Sequence, residues 1–219
     1  MFILRLLFAL SLAGPIAAET VSGRIRVIDA DTIDIGAPAN VRLISIDAPE
    51  TGQTCRDGGR TLDCGAAATA AAERMLAGRW ADCTVEEVDR YGRLLAVCHV
   101  AGVDVNAALV RAGWALRYRD DPRYEAEEKA AAIEGLGTWA YEMADPSDWR
   151  AARRAARAEA NAPKGACAIK GNISGNGRLY HLPGMRSYGP TRIDESRGER
   201  WFCTEAEAVA SGWRRAGGI

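Results

Sequence analysis

Three short stretches of this 219-residue chain place charge where an apolar, strand-like pattern would otherwise continue. "VIDADTIDI" carries Asp29, Asp31 and Thr32, "RLISIDAPE" carries Arg42, Asp47 and Glu50, and "DRYGRLLA" carries Arg90 and Arg93. Carboxylate oxygens suit hard cations, and guanidinium groups stay charged and match phosphate oxygens with paired donors. The residue types could hold a cation or an anion. Taken singly, each stretch has an ordinary reading: Asp and Thr form turns, Arg suits the outer face of a strand, and "YGR" suits a tight turn. The sharpest case is the apolar run from Val41, which ends in two carboxylates, Asp47 and Glu50, held on either side of Pro49.

Positioning these groups requires strands. "VSGRIRVIDADTIDIG" alternates twice about residues 29–32, as a hairpin does, and "VRLISIDAP" reads as a third strand. "CTVEEVDRYGRLLAVCHVAG" supplies two more about a tight turn. The Ala-rich "CGAAATAAAERMLAG" between the third and fourth strands reads as a helix stopped by Gly78. Five strands with that one helix form the pattern of a five-stranded OB-type Greek-key barrel, in a mixed β+α chain with three or four helices. "VNAALVRAG" is a short helix ending at Gly113. "DPRYEAEEKAAAIEGLGTW" is another, capped by Asp121 with Pro122 in its first turn and closed by Gly135 or Gly137. "DPSDWRAARRAARAEANAP" is a third, ended by Pro163, with Arg150, Arg153, Arg154 and Arg157 on one face. That face is either a solvated surface or a nucleic-acid contact. Beyond it the chain is rich in Gly, Pro and turn dipeptides until "ERWFC", a strand leading into a short helix capped by Thr204. The expected division is residues 1–18 as a signal peptide, 19–143 as the barrel domain, 144–164 as a basic helix and linker, and 165–219 as a small β/α domain.

The N-terminal "MFILRLLFALSLAGPIAA" has one Arg, an apolar run over residues 6–12, a Gly-Pro break and small residues before a cleavage point after Ala18, the pattern of a secretory signal. The apolar run is far short of the roughly 20 residues a bilayer span needs. The mature chain is thus expected to be periplasmic or extracellular, with no transmembrane segment. Six cysteines in an oxidising compartment favour disulfides over zinc, for which a CxxC pair is lacking. Cys83 and Cys98 lie opposite one another about the turn at residues 90–92, Cys55 and Cys64 bracket "CRDGGRTLDC", and Cys167 and Cys203 remain. Net charge is −1, so any positive charge that meets a polyanion must be local.

Taken together, "VIDADT", "RLISIDAPE", "DRYGRLLA", "VNAALVRAG" and "GLGTW", in this order and with a helix in the right place, resemble the staphylococcal nuclease family over residues 21–139. The resemblance implies that Asp31, Asp47 and the backbone carbonyl of Ala48 hold one Ca²⁺. It implies that Glu50 orients or deprotonates the attacking water, and that Arg42 and Arg93 clamp the phosphate. Asp29 and Thr32 would support the ligands from behind, and Tyr118 would stack on a base. The implied activity is hydrolysis of DNA and RNA phosphodiesters with little sequence preference, leaving 3′-phosphates, by a monomer. The alternative is an OB-fold module that binds nucleic acid without cutting it. Through "IKGN", "YHLPG" and "ERWFC", the C-terminal segment resembles the small sunset domain. There His181 reads as a structural side chain, with a zinc site alongside Cys167 and Cys203 as the lesser reading.

Overall fold

The alternation in "VSGRIRVIDADTIDIG" is realised as three strands rather than two: β1 (Thr20–Arg24), β2 (Arg26–Asp29) and β3 (Thr32–Asp34). The expected first strand breaks at Ile25, whose N–H donates to Arg79 O and whose carbonyl accepts from Gly78 N. The computed structural model describes residues 19–119, 121–162, 165 and 167–217. The expected signal peptide at 1–18 and the helix stop at Pro163 lie outside them.

"VRLISIDAP" also divides, into β4 (Val41–Leu43) and β5 (Ile46–Asp47). Ser45 lies between them at φ 66, a conformation that a residue with a side chain adopts only when its surroundings demand it. The demand comes from Asn106, which is fully buried. Its amide donates to Ile44 O at 3.0 Å and Ala96 O at 3.2 Å and accepts from Cys98 N at 3.3 Å. This satisfies the main chain where it leaves the sheet.

"CRDGGRTLDC" is not a plain loop. It forms a hairpin, β6 (Thr54–Asp57) with β7 (Arg60–Asp63), and runs directly into α1 (Cys64–Leu76), whose cap is Asp63. β8 (Trp80–Val88), β9 (Leu94–Val100) and β10 (Val103–Asp104) follow, then α2 (Val105–Arg111), β11 (Leu116–Arg117) and α3 (Glu125–Glu134). Asp121 caps a 3-10 turn, Pro122–Tyr124, ahead of α3, and Gly135 ends α3 in the left-handed conformation. The "VRAG" and "GLGTW" segments meet main chain to main chain, since a Cβ on Gly113 would lie 2.1 Å from Leu136 O. Only glycine allows that approach.

The main sheet has seven strands in the order β1-β8-β9-β4-β3-β2, with β10 on β9. Its two end strands, β1 and β2, are joined through Ile25 alone, so the sheet curls round toward itself. This mixed α/β architecture is consistent with an OB-like fold. The core lies inside the curl: Ile33, Val41, Leu43, Ala96, Leu109 and their neighbours, closed by Ala68, Ala72 and Leu76 of α1.

The chain forms two compact units, Met1–Trp149 and Arg150–Ile219, which divide within α4 (Pro146–Ala160). The second unit holds a four-stranded sheet, β14-β12-β13-β15, built from β12 (Ile169–Ser174), β13 (Gly177–His181), β14 (Arg200–Phe202) and β15 (Arg214–Arg215), with α5 (Glu205–Ala210). Sequence reading expected one strand there and missed the β12–β13 hairpin, which hides among turn residues. Thr204 caps α5 as expected, accepting from Glu207 N at 3.1 Å. Phe202 and Trp213 pack edge to face, 5.4 Å between centroids, in a separate small core.

All three expected cysteine pairs are joined: Cys55–Cys64, Cys83–Cys98 and Cys167–Cys203. Among the described residues no helix is long and apolar enough to cross a membrane.

Candidate active site

Strand register gathers much of the expected site onto one side of the sheet. Thr32 on β3 lies opposite Arg42 on β4, and Arg42 lies opposite Leu95 on the parallel strand β9. Side chains alternate along a strand, so Arg42 points away from the buried Val41 and Leu43. Arg93 lies in the turn just before β9, next to Leu94, which is opposite Val41.

Arg42 is the centre of the arrangement. Its Nη1 donates to Asp31 Oδ1 at 2.6 Å and its Nη2 to Asp47 Oδ1 at 3.0 Å. Both aspartates are almost wholly buried, 3% and 2% exposed. Asp31 also accepts from Thr32 Oγ1 at 3.0 Å and from Ala48 N at 2.9 Å, while Asp29 Oδ1 accepts from Asp31 N at 3.1 Å. Asp29 and Thr32 thus stand behind Asp31. Burial pushes the Asp31 carboxyl well above the usual carboxylate range, Arg42 pulls it back, and the charge on Asp29 adds to the rise.

Asp31 and Asp47 both take the Arg42 guanidinium, as buried charge needs a paired and hydrogen-bonded setting. Carboxylate oxygens gathered in this way fit a hard cation such as Ca²⁺. Among the described residues no three His, Cys, Asp or Glu side chains are grouped to hold a metal.

Glu50 follows Pro49 in a tight turn held by a residue that sequence reading missed. Gln53 is fully buried. Its N–H donates to Glu50 O at 2.8 Å, and its Oε1 accepts from Glu50 N at 3.1 Å. Its Nε2 donates to Ala144 O at 2.8 Å, and its carbonyl accepts from Gly65 N at 3.0 Å. A Cβ on Gly65 would stand 2.0 Å from Glu50 O, so α1 presses on the main chain of Glu50, and the Cys55–Cys64 bridge closes the same corner. A glutamine beside a turn is too common in sequences to have been singled out.

Arg93 is held by Asp89, also missed. Its Nε donates to Asp89 Oδ2 at 2.8 Å and its N–H to Asp89 Oδ1 at 3.0 Å. Burial raises the Asp89 carboxyl, but bonds from Arg93 and Tyr91 outweigh it and leave Asp89 below its ordinary value. Direct contact therefore joins Asp31, Arg42 and Asp47, whereas Arg93 is bonded within its own turn to Asp89. Tyr118 follows β11, which pairs antiparallel with β5 at Leu116–Asp47, and its N–H donates to Ser45 O at 3.0 Å. Its partly exposed ring lies under the Arg119 guanidinium at 4.9 Å.

The chain is similar to known nucleases. The family described as staphylococcal nuclease homologue matches residues 40–141, a span that includes Arg42, Asp47, Glu50, Arg93 and Tyr118 and begins after Asp31. An uncharacterized endonuclease of Escherichia coli O157:H7 is 33% identical over 140 residues, covering 60% of this chain and 84% of that protein. A micrococcal nuclease of Shigella flexneri is 36% identical over 149 residues, covering 59% and 80%. The succinoglycan biosynthesis protein ExoI of Rhizobium meliloti (strain 1021) is 39% identical over 128 residues, covering 56% of this chain and 66% of that protein, just under two thirds of its length.

Proposed function

We propose that this chain, which belongs to the staphylococcal nuclease family, is an exported, Ca²⁺-dependent nuclease that hydrolyses phosphodiester bonds of DNA or RNA and leaves 3′-phosphates. In this reading the curled sheet is a five-stranded Greek-key barrel extended by short strands. The reading rests chiefly on one observation: two buried aspartates, Asp31 from the β2–β3 turn and Asp47 from β5, converge on Arg42, with Asp47 three residues before Glu50 in the chain.

Asp31, Asp47 and the carbonyl of Ala48 are the proposed Ca²⁺ ligands, and the ion would supply Lewis-acid polarisation of the phosphate and a bound water of lowered pKa. Glu50 orients the attacking water and takes its proton. A guanidinium has five N–H donors, so Arg42 can meet a phosphate oxygen while still bonded to the aspartates. Arg93 meets the phosphate from the turn before β9. Both act on the rate only to the extent that they favour the pentacoordinate phosphorus over the bound substrate. Asp29 and Thr32 hold Asp31 in place, and Tyr118 offers a face for a base. Three disulfides, together with the expected signal, support export to the periplasm or beyond. The protein acts as a monomer in this reading.

The test is hydrolysis of single-stranded DNA with Ca²⁺, with Mg²⁺ and with a chelator, beside an Arg93→Ala control. Cleavage with Ca²⁺ alone, lost in the control, is expected. Binding without cleavage under every condition would leave a non-catalytic nucleic-acid-binding module as the better account.

A further inference from the structure

The near-neutral total charge conceals an asymmetry that the division into two units exposes. Met1–Trp149 holds 15 Lys and Arg against 23 Asp and Glu, and Arg150–Ile219 holds 13 against 6. The unit bearing the candidate active site is thus net −8 and the small unit net +7. A polyanion is repelled by the first and drawn to the second, and such fields act on encounter rates within a Debye length or so.

The positive charge has a local focus. An open cavity of about 200 Å³ in the small unit is lined by Arg157, Asn161, Arg192 and Ile193. Asn161 builds it: its Nδ2 donates to Thr191 O and its Oδ1 accepts from Ile193 N, each at 3.3 Å, tying the end of α4 to residues 191–193. Arg157 is one helical turn before Asn161, and Arg192 sits at the centre of the tied segment. Behind them Lys170, 3% exposed, donates to Thr191 O at 2.8 Å and to Tyr188 O at 3.0 Å. Two carboxylates of the same loop hold that loop together. Asp194 accepts from Ser196, and Glu199 accepts from the N–H groups of Ile173 and Asp194. Arg150, Arg153 and Arg154 continue from Arg157 along one face of α4, a track of about 10 Å at helical rise, long enough to follow a strand past a single phosphate.

We propose that the small unit is a nucleic-acid-recruiting module, with Arg157 and Arg192 binding a backbone phosphate of the strand that the first unit cuts. Guanidinium pairs suit phosphate oxygens, and phosphate contacts hold a strand without reading its sequence. Because both units belong to one chain, binding at the second raises the strand's effective concentration at the first. The choice of a nucleic acid as ligand rests on the nuclease reading; the charge asymmetry and the cavity do not.

The experiment compares full-length protein with Arg157→Ala/Arg192→Ala, Arg157→Lys/Arg192→Lys, and Arg214→Ala/Arg215→Ala as a charge-matched control on β15. Binding of a fluorescent 20-nucleotide single strand is followed by anisotropy, in chelator, over a salt series. The alanine pair is expected to weaken binding about tenfold and to lower the salt slope by about 0.7, the single-strand value for one phosphate. The lysine pair should keep most of the affinity and the control nearly all of it. With Ca²⁺, the alanine pair should raise KM for long DNA and leave kcat on a dinucleotide unchanged. Unchanged affinity and slope in the alanine pair, or an equal loss in the control, would overturn the proposal, as would tighter binding to anionic lipid vesicles than to DNA. A protein that binds through these arginines yet cuts nothing would keep this inference and remove the nuclease reading. One that cuts with no change in the alanine pair would do the reverse.

Discussion

Both units bury charge, and they do so in opposite ways. In the first, Asp31 and Asp47 both accept from Arg42, a carboxylate pair on one guanidinium. In the second, Lys170 is buried with its ammonium on the carbonyls of Tyr188 and Thr191 and near the rings of Tyr188 and Trp201, 4.4 and 5.7 Å away. Main-chain carbonyls accept from the ammonium without adding a charge, and the contact ties a loop to a sheet. The aspartate pair instead gathers carboxylate oxygens, the donors that a hard cation takes. Buried charge is negative about an arginine in the first unit and positive on carbonyls in the second.

The largest expected effect tests whether the first arrangement does chemistry at all. Glu50→Gln should keep the fold and lose turnover by about 10²- to 10⁴-fold, the usual contribution of a positioned base. Unchanged turnover on single-stranded DNA would remove Glu50 from the mechanism. Arg42→Ala probes that pair directly. Leaving two buried carboxylates without this guanidinium should destabilise the first unit by about 3 kcal/mol, and millimolar Ca²⁺ should restore part of the loss in thermal melts. A Ca²⁺-insensitive deficit would mean that the aspartates are purely structural.

Gln53→Ala sharpens the contrast between a held and a loose site. It removes the acceptor for Glu50 N and the donor to Ala144 O, which should cost about 1–3 kcal/mol. It should also lower kcat more than it changes KM, whereas equal stability and equal kcat would show that the turn holds itself. The smallest effect belongs to the second unit. His181 is buried, bonded to Ser187 Oγ and Asn172 Oδ1, each at 2.8 Å, and burial with the nearby Lys170 holds its pKa below the ordinary value. The unfolded chain therefore binds this proton more readily than the folded one. Stability from this group is full above about pH 6.5 and declines as pH falls below it. A His181→Gln variant should flatten the melting-temperature profile between about pH 5 and 7; an unaltered slope would assign the acid sensitivity to other groups. Cys167 and Cys203 pair with each other rather than with His181 across a metal, in keeping with its structural role.

Elements that depend on neighbours in sequence could be read from it. Cys83 and Cys98 pair directly across the β8–β9 hairpin, because equal distance from a turn places residues opposite. Asp121 and Thr204 cap where their side chains reach an N–H two or three residues on. Elements set by distant partners could not. Ile25 breaks a strand because Gly78 and Arg79 take its backbone bonds, and Ser45 enters a left-handed conformation because Asn106, far along the chain, satisfies the exposed main chain.

The candidate site divides along the same line. The identities and order of Asp31, Arg42, Asp47, Glu50 and Arg93 are properties of the sequence, and they were enough to suggest phosphate chemistry through the family they resemble. That Arg42 bridges both aspartates, that Gln53 and Gly65 hold the turn at Glu50, and that Arg157 and Arg192 line one cavity depend on contacts between segments far apart in the chain. Residue type sets which bonds a side chain can make, and only the tertiary fold selects the partner with which it makes them.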